Sequence, residues 1–216
     1  MILSGSKAEI KASERPPLLH EVIRKEDCDT LKYILDNNLI NVNILNFFAR
    51  TPLHFSILQD NDECVKILLS QKNININAQD YWKRTPLQYA ARFNHFECTT
   101  LLLERSDINV NIVDNLDMTP LEDAFRKGYS NIVQLFVAHK NTNLEVLYKN
   151  GYTPLHFAAE FGLVTLLTET IQAHNYDVNA QDKRGMTPLC YAAMNNYPEC
   201  IKLLLAVKGI NVHITN

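Results

Sequence analysis

Residues Arg84–Leu103 read RTPLQYAARFNHFECTTLLL, and Arg50–Leu69 read RTPLHFSILQDNDECVKILL, an earlier copy of the same pattern. The tripeptide Thr-Pro-Leu recurs at a constant interval of 34 residues and begins at Thr51, Thr85, Thr119, Thr153 and Thr187. One interval before Thr51, the stretch PLLH keeps Leu19 and His20 in register. A fixed period of this length is typical of proteins built from stacked structural repeats, so the sequence predicts six units.

The first half of each unit predicts a short helix that ends in a tight turn. Thr-Pro suits a helix start, because the Thr hydroxyl accepts a hydrogen bond from a free helix amide and Pro fits the first helical position. Nine positions after the Thr, most units have a residue that tolerates the left-handed backbone of a helix-ending turn. These residues are Asp60, Asn94, Gly128, Gly162 and Asn196, with Glu26 as a weaker choice in the first unit.

The second half of each unit predicts another helix and an extended segment. Stretches such as NIVQLFVAH carry apolar residues at helical spacing. In stretches such as DVNAQD, Val, Ile and Asn alternate before a polar tip, which predicts an extended strand and a hairpin turn. Because two short helices cannot bury their own apolar faces, the units must stack. The predicted fold class is an all-α solenoid of helix–turn–helix units joined by β-hairpin loops.

This pattern resembles the ankyrin repeat family. The resemblance is carried by TPLHFSI (Thr51–Ile57), TPLQYAA (Thr85–Ala91), TPLHFAA (Thr153–Ala159), TPLCYAA (Thr187–Ala193) and DVNAQDKRGMTPL (Asp177–Leu189), and it covers roughly residues 17–214. It implies a helical solenoid, but it indicates little about function because the family serves many functions. We expect no cofactor and no metal ion. The departures are a period one residue longer than the usual 33 or so, Glu122 and Asp123 in place of His and an aromatic residue, and the segment NTNLEVLYKNG, which lacks the Asn-x-Asn signature.

The register also predicts the organisation of the chain. We expect a flexible lead-in over residues 1–13 and an ankyrin repeat domain over residues 14–216, with units at about 14–45, 46–79, 80–113, 114–147, 148–181 and 182–216. The chain stops at a hairpin tip, and its last helix contains Leu203, Leu204 and Leu205 without a clear polar cap. Terminal repeats normally have a polar outer face, so we expect a fragment of a longer protein.

Composition indicates a globular protein without an obvious partner class. Apolar residues make up 46% of the 216 residues and the net charge is only −3. The start of the chain is not a signal peptide, and no apolar run approaches the ~18 residues that span a membrane. The five cysteines lack the C-x-x-C pairing of zinc sites. We therefore expect a reduced, monomeric, cytoplasmic protein, with the nucleus or a host-cell cytosol as alternatives.

The histidines and cysteines favour structural roles. His20, His54 and His156 share one column of the repeat, and the resemblance implies that this residue is a hydrogen-bonding hub beside the Thr hydroxyl. Cys64, Cys98 and Cys200 share another column with Ile132 and Leu166, which predicts an apolar core position. Cys28 stands alone, and Cys190 replaces His in its column. Phosphate-binding and hydrolase motifs are missing from the sequence, so we do not expect an enzyme.

The resemblance implies that binding occurs on the concave side, which the hairpin tips and the ends of the first helices form. The tips are the five residues before each Thr, and several carry large apolar side chains that folding alone does not require there. The predicted partner-binding residues are Phe47, Phe48, Arg50, Tyr81, Trp82, Arg84, Arg92, Phe93, Leu116, Met118, Arg126, Lys127, Lys149, Tyr152, Phe161, Lys183 and Arg184. The alternative for Phe48 and Tyr152 in particular is that neighbouring tips bury their rings.

Charge is also concentrated at the tips and helix ends. They hold eleven basic and five acidic residues, a net +6 on a chain whose total is −3. Such a surface suits another protein that presents an acidic or mixed acidic–aromatic segment. The alternatives are a regulatory or substrate-recruiting arm of a larger enzyme or secreted effector and, with less support, a site for single-stranded nucleic acid.

The extended segments raise one further hypothesis. Asn77, Asn111 and Asn179 occupy equivalent positions in NINAQD, NVNIVD and DVNAQD. The resemblance implies that such residues are acceptors for asparagine hydroxylation, and the competing interpretation is a hydrogen-bonding turn residue.

Overall fold

The structure is a computed structural model that describes residues 17–147, 151–172 and 176–214. The chain divides into two compact units, which we call unit 1 (up to Asn141) and unit 2 (from Thr142). The described part of unit 1 contains α1 (Leu18–Arg24), α2 (Cys28–Asp36), α3 (Pro52–Leu58), α4 (Asp62–Leu69), α5 (Pro86–Phe93), α6 (Phe96–Leu103), α7 (Pro120–Lys127) and α8 (Ser130–Ala138). The described part of unit 2 contains a 3₁₀ turn (Glu145–Leu147), α9 (Pro154–Glu160), α10 (Val164–Gln172), α11 (Pro188–Met194) and α12 (Pro198–Leu205).

The helices stack in two layers within each unit. In unit 1 the first helices of successive pairs pack on one another in the order α1, α3, α5 and α7, and the second helices pack in the order α2, α4, α6 and α8. In unit 2, α9 packs on α11 and α10 packs on α12. This confirms the predicted all-α stack of helix–turn–helix units. In the described residues each helix is nine residues or shorter, and none is long and apolar enough to cross a bilayer.

The predicted helix starts are confirmed by capping hydrogen bonds. The side chains of Thr51, Thr85, Thr119 and Thr187 each accept a hydrogen bond from the backbone amide three residues later, and Pro follows every one of them. At Thr153 the hydroxyl lies 2.9 Å from Nδ1 of His156. A capped first turn with Pro at its first position explains why such short helices are stable in this context.

The predicted helix-ending turns are also confirmed. All six positions have a positive φ, from 53° at Asp60 to 73° at Gly128, and Glu26 adopts 57° in spite of its unfavourable side chain. At Gly162 the requirement is stricter, because an added Cβ would lie 2.6 Å from the ring of Tyr197. Glycine at this position therefore serves both the left-handed backbone and the close approach of α12's capping residue.

The core consists of repeated apolar columns. Leu53, Leu87, Leu121 and Leu155 of the Thr-Pro-Leu motifs are almost completely buried. Cys64, Cys98 and Cys200 are completely buried, so the predicted core position of this column is confirmed. Cys28, predicted to stand alone, instead has its sulfur 3.0 Å from that of Cys64.

The histidine column forms the predicted hydrogen-bonding hub at two of its three histidines, whereas the His20 side chain hydrogen-bonds, among the described residues, only to the carbonyl of Arg50 (2.9 Å). His54 lies 2.9 Å from the Thr51 hydroxyl through Nδ1, and its Nε2 lies 3.0 Å from the carbonyl oxygen of Arg84. His156 bridges the Thr153 hydroxyl and the carbonyl of Met186 in the same way. Each imidazole therefore links a helix start to the segment that precedes the next Thr-Pro.

The extended segments do not form the strands that their alternation predicts, since the described residues contain turns at these positions. Asparagine side chains provide the links between repeats instead. The Asn77 side chain donates to the carbonyl of Asp107 (2.8 Å) and accepts from the amide of Asn109 (2.8 Å). Because these amide groups satisfy the backbone of the next repeat, a strand ladder is not needed.

Candidate functional site

Four described tips share one backbone frame, which hydrogen bonds hold together. In tip 2 (Asp80–Arg84), Oδ1 of Asp80 accepts hydrogen bonds from the amides of Trp82 and Arg84, and the Asp80 amide donates to the Arg84 carbonyl (3.0 Å). The fourth residue, Lys83, has a φ of 56°. Tip 1 (Asn46–Arg50), tip 3 (Asp114–Met118) and tip 5 (Asp182–Met186) repeat this pattern of hydrogen bonds. The side chains at the second and third positions take no part in the frame, so they are free to vary.

Tips 1 and 2 together expose four large aromatic side chains. The exposed fractions are 81% for Phe47, 42% for Phe48, 67% for Tyr81 and 38% for Trp82. The amide of Tyr81 donates to the carbonyl of Phe48 (3.1 Å), which holds the two tips side by side. Phe48 stacks on Trp82 with ring centroids 5.8 Å apart and an interplanar angle of 24°. Neighbouring tips therefore cover part of Phe48 and Trp82, as the alternative interpretation of Phe48 requires, while much of both rings stays exposed.

Arg50 lies in the middle of this aromatic group. Its guanidinium carbon is 5.1 Å from the ring centroid of Phe48 and 5.2 Å from those of Trp82 and Tyr89. It donates a hydrogen bond to the Tyr89 hydroxyl (2.9 Å), which in turn donates to Asp80 (2.6 Å). Burial and the hydrogen bond to Asp80 raise the pKa of Tyr89, so the hydroxyl stays protonated. We call Phe47, Phe48, Arg50, Tyr81, Trp82 and Arg84 the aromatic tip surface.

Tyr89 and Asp80 contact the aromatic tip surface, and the prediction of binding residues missed them. Tyr89 is buried within a first helix, and a Tyr at such a position gives no sequence signal for a role at the surface. The available signal was the repeat itself, since Tyr191 donates to Asp182 (2.7 Å) at the equivalent positions. A Tyr nine residues after an Asp therefore indicates a braced tip in this chain.

Three of the five arginines predicted for the surface are paired with carboxylates. Arg50 lies 3.5 Å from Asp80 and Arg84 lies 3.5 Å from Asp114. Arg92 lies 3.2 Å from Asp123, whose pKa is raised by burial although Arg92 opposes this shift. These contacts neutralise much of the positive charge that the sequence assigns to the surface. The cations that remain exposed in unit 1 without an ion pair among the described residues include Lys83, Arg126 and Lys127.

Other predicted residues of unit 1 lie near the aromatic tip surface. Phe93 is exposed and stacks on Tyr89, with centroids 6.1 Å apart, so it extends the aromatic group along the end of α5. Leu116 is exposed on tip 3, where the amide of Asn115 donates to the carbonyl of Trp82 (3.0 Å). Arg126 and Lys127 are exposed in the last turn of α7.

Two predicted binding residues are buried, which corrects their assignment. Met118 is 7% exposed, because the last residue of a tip precedes the helix cap and its carbonyl accepts from the Gln88 side chain (2.5 Å). Phe161 is 2% exposed and packs against Phe157 in unit 2, with centroids 5.3 Å apart. Neither side chain is available to a partner, so both are core residues.

In unit 2 the predicted residues are distributed differently. Lys183 and Arg184 are exposed at the second and third positions of tip 5. Tyr152 is half-buried, because its ring stacks on His156 (5.4 Å) and meets the edge of Tyr191 (5.8 Å). Its hydroxyl also donates to Glu160. Lys149 lies outside the described residues.

The three asparagines predicted as modification sites belong to the links between repeats. Like Asn77, Asn179 donates to a carbonyl in the following segment (Gly209, 2.9 Å) and accepts from a backbone amide (Asn211, 2.8 Å). Asn111 donates to the carbonyl of Asn141 (2.8 Å). Structure alone explains the recurrence of these residues, and their hydroxylation stays a prediction.

Among the described residues, one group of potential metal ligands occurs, and it lies in unit 1. Asp60, Asp62 and Cys98 lie close enough to share an ion. However, the Cys98 thiol donates to Asp62 (3.1 Å) and burial raises its pKa, so it is protonated at neutral pH. A cysteine binds a metal ion as the thiolate. The protonated Cys98 thiol, which donates to Asp62, therefore favours a hydrogen bond in the core over a metal site.

Comparison with known proteins agrees with this geometry. A family model described as ankyrin repeats (3 copies) matches residues 1–80, 73–147 and 124–216. The chain belongs to the ankyrin repeat family. Its fold is similar to that in the crystal structure of EF0377, an ankyrin repeat protein, with a TM-score of 0.62, 22% sequence identity, and coverage of 90% of this chain and 99% of that chain. No curated protein matches the sequence. Ankyrin repeats are generally modules for protein–protein interaction and are typically not enzymes.

Proposed function

We propose that this ankyrin repeat protein is a non-catalytic platform that grips a partner polypeptide on the aromatic tip surface of unit 1. The observation that carries this proposal is the exposure of Phe47 and Tyr81, with Phe48 and Trp82 beside them, on a backbone that side-chain hydrogen bonds hold in place. Large exposed aromatic groups that do not serve the frame are the residues that most often dominate binding energy at protein interfaces.

The rigidity of the frame supports a binding role. Asp80 fixes two amides of its tip, and the Tyr81 amide ties tip 2 to tip 1. A surface held in its binding conformation loses little conformational entropy when the partner docks. Arg50 contacts the rings of Phe48 and Trp82, and its hydrogen bond to Tyr89 holds the guanidinium in place. The aromatic tip surface is therefore pre-organised.

The charges favour a partner segment that combines aromatic or apolar residues with carboxylates. Arg50 and Arg84 already have carboxylate partners, so the centre of the surface offers rings and charge-paired guanidinium groups to an apolar side chain. Lys83, Arg126 and Lys127 are exposed, and they suit carboxylates at the margin of the interface. Such marginal charges raise the association rate and orient the partner more than they raise affinity.

The test is a peptide selection against the full chain. Peptides enriched from a random library should combine aromatic and acidic residues, and the best peptide should bind the Tyr81→Ala variant at least about tenfold more weakly than the wild type, as expected for a hot spot. The matched control is Tyr33→Ala, because Tyr33 is 65% exposed but lies on α2, away from the tips. Its affinity should stay within about twofold of the wild type. Titration calorimetry measures all three constants.

Two results would contradict the proposal. One is equal loss of affinity in the Tyr81→Ala and Tyr33→Ala variants, or no loss in either. The other is tight, strongly salt-dependent binding of a short single-stranded oligonucleotide at the same surface, since stacked rings beside arginines also suit nucleic-acid bases.

A further inference from the structure

Two cysteines from different repeats meet in unit 1. Cys28 is the first residue of α2, and Cys64 lies in the first turn of α4. Their sulfur atoms are 3.0 Å apart, and both residues are free thiols. A disulfide bond has an S–S distance of about 2.05 Å, so a shift of about 1 Å would bring the two sulfurs to bonding distance.

The two thiols differ in access to solvent. Cys64 is completely buried, whereas Cys28 is only half-buried. Cys28 lines a cavity of about 350 Å³ together with two lysines, Lys32 and Lys66, and the carboxylates of Asp29, Asp36 and Glu63. On its other side it lines a cavity of about 400 Å³ with the carboxylates of Glu26, Asp62 and Glu63 among others. The first cavity is the less acidic of the two, because only its lining includes lysines, so a small anionic disulfide meets less repulsion on that side.

A second pair of residues in unit 1 has the same separation along the chain and provides an internal control. Cys98 stands in the column of Cys64, and the residue that it meets in the preceding repeat is Asp62, at 3.1 Å. Cys28 and Asp62 thus occupy equivalent positions, and the separation of 36 residues is the same in both pairs. Only where a cysteine replaces the carboxylate do two thiols meet, so the two pairs share one geometry and differ in chemistry.

We propose that Cys28 and Cys64 form a redox-active pair that closes to a disulfide by exchange with a low-molecular-weight disulfide such as glutathione disulfide. The Cys28 thiolate attacks one sulfur of glutathione disulfide, which breaks its S–S bond, forms a mixed disulfide on Cys28 and releases one glutathione thiolate. The Cys64 thiol then gives its proton to solvent or to the leaving thiolate and attacks the Cys28 sulfur, which releases the second glutathione. Two protein thiols are oxidised and one glutathione disulfide is reduced to two thiols.

The order of these steps follows from the surroundings of the two thiols. Burial, with the hydrogen bond to Cys28, raises the pKa of Cys64, so this thiol is a poor first nucleophile. Cys28 is the accessible sulfur, and Cys64 is placed only to attack Cys28 itself. The resulting disulfide would link α2 to α4. Tip 1, which carries Phe47 and Phe48, would then lie within the covalent loop between Cys28 and Cys64. The pair is independent of the proposed binding function, because neither sulfur belongs to the aromatic tip surface.

The test is incubation of the folded full chain with glutathione disulfide, followed by alkylation of free thiols, trypsin digestion and mass spectrometry without reduction. The expected product joins the peptide Glu26–Lys32 to the peptide Thr51–Lys66, with the loss of two hydrogen atoms. In the Cys64→Ala variant the second step is blocked, so Cys28 should accumulate one glutathionyl group. Modification of Cys98, in the peptide Phe93–Arg105, should be at least about tenfold slower because that thiol is buried.

Three outcomes would overturn the proposal. The first is a wild-type protein in which Cys28 carries glutathione and never converts to the cross-linked product. The second is reaction of Cys98 or Cys200 at the same rate as Cys28, which would indicate general unfolding. The third is a Cys64→Ala variant with the circular dichroism spectrum of the wild type in which Cys28 does not react at all.

Discussion

Tip 2 (Asp80–Arg84) in unit 1 and tip 5 (Asp182–Met186) in unit 2 have the same backbone frame and different surfaces. In both tips the first Asp accepts two backbone amides and a Tyr hydroxyl, and the fourth residue has a positive φ. Tip 2 presents Tyr81 and Trp82 at its free positions, whereas tip 5 presents Lys183 and Arg184. The comparison separates the residues that build a tip from those that give it a binding preference.

The last position of the two tips also differs. Arg84 of tip 2 is half-buried and lies 3.5 Å from Asp114, whereas Met186 of tip 5 is buried. Both carbonyls accept a hydrogen bond from the histidine of the preceding first helix, His54 or His156. In these two tips the frame therefore depends on one Asp, one Tyr and one His, and each of these can be removed separately.

The largest expected effect is the loss of the Asp that organises a tip. Asp80 is buried, holds two amides and the Tyr89 hydroxyl, and lies 3.5 Å from Arg50, so Asp80→Ala should lower the free energy of unfolding by roughly 3–4 kcal/mol. Asp182→Ala should cost less, roughly 2 kcal/mol, because no described arginine forms an ion pair with Asp182. Urea denaturation followed by circular dichroism measures both values.

The matched control for this comparison is Asp80→Asn. Tip 1 has Asn46 at the equivalent position, where its Oδ1 accepts the amides of Phe48 and Arg50. The Asn variant should therefore keep most of the frame and lose only about 1 kcal/mol. If Asp80→Asn and Asp80→Ala were equally unstable, the charge of Asp80 would matter more than the two amide bonds.

A smaller effect on the free energy of unfolding should depend on pH, through the buried histidines His54 and His156. Burial lowers the pKa of His54 to about 4, although the hydrogen bond to Arg84 raises it, and burial also lowers the pKa of His156. An unfolded His titrates near 6.5, so between about pH 6.5 and 4 the unfolded chain binds a proton that folded His54 does not. Stability should therefore fall as the pH drops through this window, with His54 contributing roughly 3 kcal/mol.

Substitution with Gln isolates this contribution, because Gln88 already holds the same position in the repeat and donates to the Met118 carbonyl (2.5 Å). His54→Gln should stay folded at pH 7 and lose much of the acid sensitivity of unit 1, which the fluorescence of Trp82, the single tryptophan, reports. His156→Gln should leave the Trp82 transition unchanged. An unaltered pH profile in His54→Gln would show that other groups cause the acid sensitivity.

The sequence was sufficient to predict the fold because the same structural signals recur in successive repeats. A Thr-Pro cap, a left-handed turn and a His that bridges to the next segment recur at fixed positions, so chance agreement is excluded and even Glu26 is identified as a turn residue. The exposure of Phe47 and Tyr81 followed for the same reason, since register alone places them at tip positions.

Features that depend on side-chain direction could not be predicted in this way. Phe93 and Phe161 occupy the same column, yet Phe93 is exposed and Phe161 is buried against Phe157. The pairing of Arg50 with Asp80 joins different columns of neighbouring repeats, as does the meeting of Cys28 and Cys64. A column alignment compares equivalent positions, so it contains no information on contacts between non-equivalent ones.

Exchanging the free residues of the two tips tests most directly whether frame and surface are separable. The double variant Tyr81→Lys with Trp82→Arg gives tip 2 the free residues of tip 5, and the selected peptide would be titrated into it and into the wild type. We predict that peptide binding falls by more than about tenfold while the free energy of unfolding, measured by circular dichroism, changes by less than about 1 kcal/mol. Undiminished peptide binding, or a loss of affinity that accompanies unfolding of unit 1, would contradict this account.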